Sequence, residues 1–294
     1  MLPVALLLWL VAEIATWLAI GRLGFGASWP YAVAGALGGL LGLRAGLNMI
    51  TWLFGMAFAS PAPRLGARAT ARLMLDEYLA YLLSFVLVIP FERLWLPADR
   101  LRPGPRPLLL VHGYGCSRGV WWLLRRRLEA AGHVVATVSL TPPFTSIGKL
   151  VPQLNRRIEE VCAATGAQQV VLVAHSMGGL VCRSYLARHG IARVARLLTL
   201  ATPHAGSELA RLGAGQNARE MEPGSLWLRD MAAEPLRVPA VALRNAYDNY
   251  AMPQDNQRLP GAADIELPPV GHLAMLTDRR VADLLIQTLA ENTP

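Results

Sequence analysis

The sequence predicts an α/β protein in which a doubly wound, mostly parallel sheet with a short cap follows an N-terminal helical membrane region. From residue 108 onward, short apolar runs typical of buried strands alternate with segments of helical periodicity, which favours parallel strands joined by right-handed crossovers. Before residue 97, long apolar stretches dominate instead. Residues 97–107 contain four prolines and a glycine, which is typical of a linker. We therefore expect a membrane region over 1–96 and an α/β domain over 97–294.

The composition limits the partners of the chain. Of 294 residues, 53% are hydrophobic, and 28 basic against 20 acidic residues give a net charge of +8. Lys149 is the only lysine, and no arginine-rich block with interleaved aromatic residues is present, so we expect no nucleic acid partner. Attraction to anionic lipid headgroups is the expected use of the charge. The three cysteines lack metal-ligand spacing, and we expect no metal site.

Two apolar stretches have the length of membrane-spanning helices. Residues 2–20 are interrupted only by Glu13, and residues 29–59 are interrupted by Arg44 and Asn48. No basic residue precedes the first stretch and no small-residue cleavage site is obvious after it, so we expect a retained hairpin rather than a signal peptide. Glu13 and Arg44 are candidates for a direct pair, because isolated charges in hydrocarbon are costly. Their depths below the turn differ by roughly 10 Å, so separate contacts remain the alternative.

A third apolar segment, residues 73–95, precedes the linker. Its apolar run is only 12 residues long, which suits an interfacial or core-packed helix better than a span, although a tilted span stays open. Residues 61–72 carry three arginines, whereas the link at residues 21–28 has only Arg22. The positive-inside rule therefore places residues 61–72 in the cytoplasm. If residues 73–95 do not span, the α/β domain is cytoplasmic as well.

The most informative motif begins with the apolar run at residues 170–173. It leads through Ala174 and His175 to Ser176, and Met177 and two glycines open a helix-compatible segment. A tight strand-turn-helix junction leaves no room for large side chains two residues before and after the serine, which accounts for Ala174 and Gly178. A chance turn between a strand and a helix is the alternative. The string resembles the nucleophile elbow of the α/β-hydrolases, with Ala174 in place of the usual first glycine, and small bacterial lipases share this variant.

The resemblance implies an oxyanion hole built from two backbone N–H groups. One belongs to the residue after the nucleophile, here Met177, and the other to the loop that follows the strand at residues 108–111. That loop has the sequence His-Gly-Tyr-Gly, and by resemblance to the small lipases its donor is Tyr114. A plain glycine turn is the alternative for this loop.

The resemblance also implies a catalytic acid and base. Asp248 follows the predicted strand at residues 238–244, in an Asp-Asn-x-x-x-Pro string similar to that of the lipases, and Asp255 is the nearest competitor. Among the six histidines, only His272 follows both Ser176 and Asp248, which reproduces the Ser, Asp, His order of the family. His204 precedes any candidate acid, so we interpret it as a structural or site-wall residue.

These residues predict a serine hydrolase that needs no metal or organic cofactor. About 35 residues separate the strands near positions 201 and 238, enough for a short cap and an open site. The apolar composition and the hairpin favour lipid-like carboxylic esters as substrates and membrane lipids as partners, so we expect an esterase or lipase. A catalytically inactive membrane scaffold or transport-associated protein, and a thioesterase or amidase with the same triad, are the alternatives. The candidate substrate walls are Tyr114, Phe144, Met221, Leu226 and Trp227.

Overall fold

The computed structural model describes residues 1–291 and contains a single parallel sheet with helices on both faces. Its six strands lie in the order β2-β1-β3-β4-β5-β6, and all neighbouring pairs are parallel. The strands are β1 (Leu108–Val111), β2 (Val135–Val138), β3 (Val170–His175), β4 (Val194–Leu200), β5 (Ala240–Arg244) and β6 (Ala263–Glu266). Every residue of β1, β2, β3 and β5 is buried, which explains why these strands appear in the sequence as continuous apolar runs.

Helices connect the strands and cover both faces of the sheet. The N-terminal helices are α1 (Leu2–Ala19), α2 (Trp29–Ala57), α3 (Ala67–Leu82) and α4 (Glu92–Trp95). Those of the α/β domain are α5 (Trp122–Ala130), α6 (Ile147–Thr165), α7 (Met177–His189), α8 (Gln216–Glu220), α9 (Leu226–Ala233) and α10 (Arg279–Ala290). Residues of α6 and α7 form the core on one face, and residues of α5 and α10 form the core on the other.

The N-terminal helices pack on the second of these cores. Ala80 of α3 and Ile89 are members of that buried cluster, and Leu2 and Leu6 of α1 pack against it. The hairpin of α1 and α2 therefore contacts the α/β domain through the start of α1, and also through the later part of α2, where Thr51 meets Asn249. Its connecting turn carries the exposed Leu23 and Phe25. The segments 1–96 and 97–291 are thus in extensive contact.

The α1–α2 hairpin contains a direct pair between Glu13 and Arg44, which the sequence had left open. Arg44 donates from Nη1 to Glu13 Oε1 over 2.7 Å and from Nη2 to Oε2 over 2.8 Å, and both side chains are at most 7% exposed. Arg44 Nη1 also donates to the carbonyl oxygen of Leu40. The direct pair, rather than two separate contacts, is the arrangement in the structure.

The two hairpin helices are long and apolar enough to cross a membrane, by length and composition alone. They span Leu2–Gly24, including a π-helical turn after α1, and Trp29–Ala57, with mean hydropathies of 2.1 and 1.4. Only 6% and 22% of these windows are buried, so most of their apolar surface is exposed. A signal sequence near an N-terminus would satisfy the same criterion of length and composition.

The third N-terminal segment differs from the single helix expected over residues 73–95. Helix α3 begins at Ala67, continues into a π-helical turn at Leu83–Val88, and ends before Pro90. Proline cannot continue a helix, because its ring clashes with the preceding turn and it lacks an N–H donor. The face of α3 that carries Leu73, Glu77 and Ala80 is buried.

Candidate active site

The turn after β3 holds Ser176 in a strained backbone conformation. Ser176 has φ 55° and ψ −132°, a combination rarely adopted by a residue with a side chain, and it is partly exposed. The turn is held by a hydrogen bond from Ser176 N to the Leu200 carbonyl oxygen and by one from Thr202 Oγ1 to the Ser176 carbonyl oxygen. A Cβ atom on Gly178 would collide with the carbonyl oxygens of Val111 and His112, so the glycine two residues after the serine is sterically required.

The loop after β1 passes directly beside this serine. A Cβ atom placed on Gly113 would lie 3.3 Å from Ser176 Oγ. The predicted oxyanion donors, the N–H groups of Tyr114 and Met177, belong to this loop and to the first residue of α7, and neither donates a hydrogen bond within residues 1–291. Two free backbone donors flanking a serine hydroxyl suit the stabilisation of a developing oxyanion, and their assignment to that role stays a prediction.

The loops after β5 and β6 bring Asp248 and His272 together. Asp248 Oδ2 lies 2.8 Å from His272 Nδ1, and both side chains are buried. The other carboxylate oxygen, Oδ1, accepts from the N–H groups of Tyr250 and Ala251, which fixes the carboxylate in its turn. Asp255, the competing acid, is half-exposed and pairs with Arg258 instead. The contact between Ser176 and His272 that would complete a triad stays a prediction.

Comparison with known proteins agrees with this architecture. A family model described as the alpha/beta hydrolase fold matches residues 106–223. A mature lipase from Bacillus licheniformis superposes with a TM-score of 0.58 at 20% identity, covering 66% of this chain and 96% of that one. The chain has the fold of the α/β-hydrolases.

Sequence relatives of the chain include two bacterial triacylglycerol lipases. Those from Pseudarthrobacter phenanthrenivorans and Burkholderia plantarii are each 36% identical to it over 121 residues, or 38% of this chain. The matched segments span 38% and 34% of the relatives' own lengths, so the chain covers little more than a third of each.

Burial and charge act in opposite directions on the imidazole of His272. Burial alone would lower the pKa of His272, but the charge and hydrogen bond of Asp248, together with the charge of Glu77, outweigh it. The result is a pKa raised above the ordinary 6.5. Tyr250 stacks on the imidazole with ring centroids 5.0 Å apart. His175 Nε2 lies 3.1 Å from the His272 carbonyl oxygen, so His175 supports the loop of the predicted base.

Several supporting residues were missed in the sequence. Asn249 Oδ1 accepts from His272 N, and Asn249 Nδ2 donates to Thr51 Oγ1 on α2 over 2.7 Å. Asn245 Nδ2 donates to the Val270 carbonyl oxygen and so connects the loop of Asp248 with the loop of His272. Glu77 of α3 accepts from the backbone just beyond His272. The signal for Glu77 in the sequence was its charge directly before the apolar run at residues 78–89.

The predicted wall residues differ widely in exposure. Tyr114 exchanges two hydrogen bonds with the backbone of Ala214, and its ring centroid lies 5.4 Å from that of Phe144. Met221 is buried in the core, whereas Leu226 is 75% exposed and Trp227 is partly buried. Their role as substrate walls stays a prediction. His204 is buried, with Nε2 near Thr199 Oγ1, which fits the structural role expected for it.

Proposed function

We propose that this chain is a membrane-anchored serine hydrolase that cleaves carboxylic esters of lipid-like substrates. The observation that carries the proposal is the 2.8 Å contact between Asp248 and His272 at the same sheet edge as the strained Ser176. A serine on a strained elbow together with a carboxylate-oriented imidazole is the constellation used for acyl transfer. The names of the bacterial relatives, which are triacylglycerol lipases, favour esters over other acyl compounds.

The proposed reaction has two acyl transfers. His272 accepts the proton of Ser176 as the serine oxygen attacks the ester carbonyl carbon, and the N–H groups of Tyr114 and Met177 stabilise the resulting oxyanion. Collapse of the tetrahedral intermediate breaks the ester bond, and His272 returns its proton to the leaving alcohol. Water, deprotonated by His272, then attacks the acyl-enzyme. Collapse of this second intermediate breaks the bond between the acyl carbon and Ser176 Oγ, releases the carboxylic acid, and lets His272 return the proton to Ser176. Asp248 holds the imidazole in the required tautomer and stabilises its protonated form.

Anchoring by the α1–α2 hairpin is part of the proposal. It is supported by two helices that are long enough to span a bilayer and expose most of their apolar surface. A buried ion pair between Glu13 and Arg44 joins the two helices. The arginines of residues 61–72 favour a cytoplasmic location of the α/β domain. A hairpin of this kind would hold the site near lipid substrates.

Labelling with a fluorophosphonate tests the nucleophile. The full-length protein in detergent micelles is treated with the probe, and mass spectrometry identifies the modified peptide. We expect modification at Ser176 and nowhere else, because only an activated serine attacks such a probe. Ser176→Ala serves as the blank and Ser184→Ala, a buried serine on α7, as the matched control that keeps its labelling. Folded wild-type protein that resists the probe would refute the proposal. If Ser176 is labelled, a panel of acylglycerols, thioesters and amides separates the substrate classes.

The pH dependence of hydrolysis follows from the environment of His272. Only neutral imidazole can accept the serine proton, and the pKa of His272 is raised above 6.5. The activity is therefore present at higher pH and is lost as the pH falls through the pKa of the folded protein. We expect the acidic limb of kcat/KM for a soluble ester to have its midpoint above 6.5. A midpoint well below that value would show that the charges of Asp248 and Glu77 do not act on the base.

A further inference from the structure

Glu77 lies on α3, before the family match at residues 106–223, and its carboxylate is placed against the loop of the predicted base, which follows that match. The side chain is fully buried. Its oxygens accept from Leu273 N over 2.9 Å and from Ala274 N over 2.8 Å, the two backbone donors that directly follow His272. Hydrogen bonds from backbone N–H groups to a carboxylate are among the stronger ones in proteins. The chain after His272 is thus held by a residue almost 200 positions earlier.

The loop that carries His272 has space for the Glu77 carboxylate and backbone donors that bind it. A Cβ atom on Gly271 would collide with the Glu77 side chain, including its Oε2 atom, so the residue before His272 leaves the space that the carboxylate fills. Leu273 and Ala274 begin a short 3₁₀ helix at Ala274–Leu276, whose first N–H groups have no partner within the helix. Glu77 satisfies these donors from a different part of the chain.

The charges around Glu77 connect it with the catalytic pair. Burial raises the pKa of Glu77 from 4.5 to about 7, although the N–H groups of Ala274 and Leu273 and the charge of His272 oppose this rise. The titratable groups that face it from the acid and base loops are Asp248, Tyr250 and His272. An ionised Glu77 stabilises the protonated imidazole, in the same sense as Asp248 does.

A second contact from the N-terminal helices reaches the same loop. Thr51 on α2 accepts from Asn249 Nδ2, and Asn249 Oδ1 in turn accepts from His272 N. The backbone is therefore held on both sides of the His272 side chain, by Asn249 before it and by Glu77 after it. Both supports depend on helices that precede the family match.

We propose that Glu77 is a positioning residue for the predicted base: it holds the backbone that carries His272 and stabilises the imidazolium that forms when Ser176 is deprotonated. This inference rests on the proposed hydrolase function. It makes α3 a working part of the active site rather than a spacer between the hairpin and the α/β domain.

Glu77→Gln tests the inference, because glutamine keeps the shape of the side chain and removes its charge. Hydrolysis of a short, soluble p-nitrophenyl ester by the full-length protein in micelles is measured over about pH 5 to 9. We expect kcat to fall on the order of 10-fold with KM within about twofold of wild type, since the group acts on the transition state rather than on substrate binding. We also expect the acidic limb of kcat/KM to move to lower pH by about half a unit, because the protonated imidazole of His272 loses a stabilising charge.

The neighbouring carboxylate provides the matched control. Asp76 lies on the exposed side of α3 and pairs loosely with Arg72, so Asp76→Asn should keep the kcat and the acidic limb of wild type. Gly271→Ala is a second test variant: it displaces the Glu77 carboxylate without removing it, and we expect a comparable fall in kcat. If Glu77→Gln does not fold, Gly271→Ala tests the inference in its place.

The outcomes separate the inference from the function on which it rests. Active wild type with an unchanged Glu77→Gln profile overturns the inference alone. A fall in kcat with an unmoved acidic limb reduces Glu77 to a packing role and overturns it as well. Wild type that neither hydrolyses the ester nor reacts with the fluorophosphonate overturns the proposed function itself.

Discussion

Asp248→Asn should lower kcat on the order of 10³- to 10⁴-fold while leaving KM nearly unchanged. The amide is isosteric, and its oxygen can still accept from Tyr250 N and Ala251 N, so the turn is retained. Its NH₂ group then faces His272 Nδ1, where Asp248 Oδ2 lies in the wild type. An N–H donor at this position favours the tautomer with the proton on Nε2. That tautomer cannot accept the proton of Ser176.

Asp255→Asn is the matched control for this experiment. It changes the same residue type in the same loop, but Asp255 pairs with Arg258 at the surface and does not contact His272. We expect hydrolysis by this variant to stay within about twofold of wild type, with kcat and KM determined on the same soluble ester. A large loss of kcat for Asp255→Asn together with a small loss for Asp248→Asn would show that Asp255, and not Asp248, is the catalytic acid.

The acid, the base and the elbow could be proposed from sequence because their signals are local. Ser176 follows an unbroken apolar strand, and Asp248 and His272 each come shortly after a recognisable strand. Parallel strands bring their carboxyl ends to one edge of the sheet, so chain order alone predicts their proximity. The strand positions needed no long-range information.

The supports of the base loop could not be predicted because they are long-range contacts. Glu77 and Leu273 are separated by 196 positions, and Thr51 and Asn249 by 198. No periodicity or spacing in the sequence links such pairs. The predicted start of the third helix, residue 73, also lies after the observed start at Ala67, because the first turn of α3 is basic rather than apolar. The sequence showed that Glu77 bounds an apolar run, but burial of its carboxylate depends on the packing of α3 against the base loop.

The pairing of Glu13 with Arg44 was left open for a geometric reason that the structure resolves. A π-helical turn at Ile20–Gly24 extends the first helix beyond the expected residue 20. Glu13 then lies eleven residues before the end of its helical segment and Arg44 fifteen residues after the start of α2. At 1.5 Å per residue the depths differ by about 6 Å, which an arginine side chain can bridge.

Removing one of the two charges of this buried pair should destabilise the hairpin strongly. Glu13→Leu leaves the Arg44 guanidinium buried, and within residues 1–291 its one remaining hydrogen-bond partner is the Leu40 carbonyl oxygen. Removing one member of a buried ion pair, or leaving an arginine unpaired in hydrocarbon, costs about 3 kcal/mol. We expect thermal unfolding in micelles, followed by tryptophan fluorescence, to occur at a clearly lower temperature.

The double variant Glu13→Leu/Arg44→Met distinguishes loss of the pair from loss of packing. It removes both charges and keeps apolar side chains of similar volume, so most of the lost stability should return, because the cost of the single variant is an uncompensated charge. Arg72→Gln, which breaks an exposed pair with Asp76 on α3, should change the unfolding temperature little. If the double variant is as unstable as Glu13→Leu, the hairpin depends on the shape of these side chains, and the ion pair does not hold α1 and α2 together.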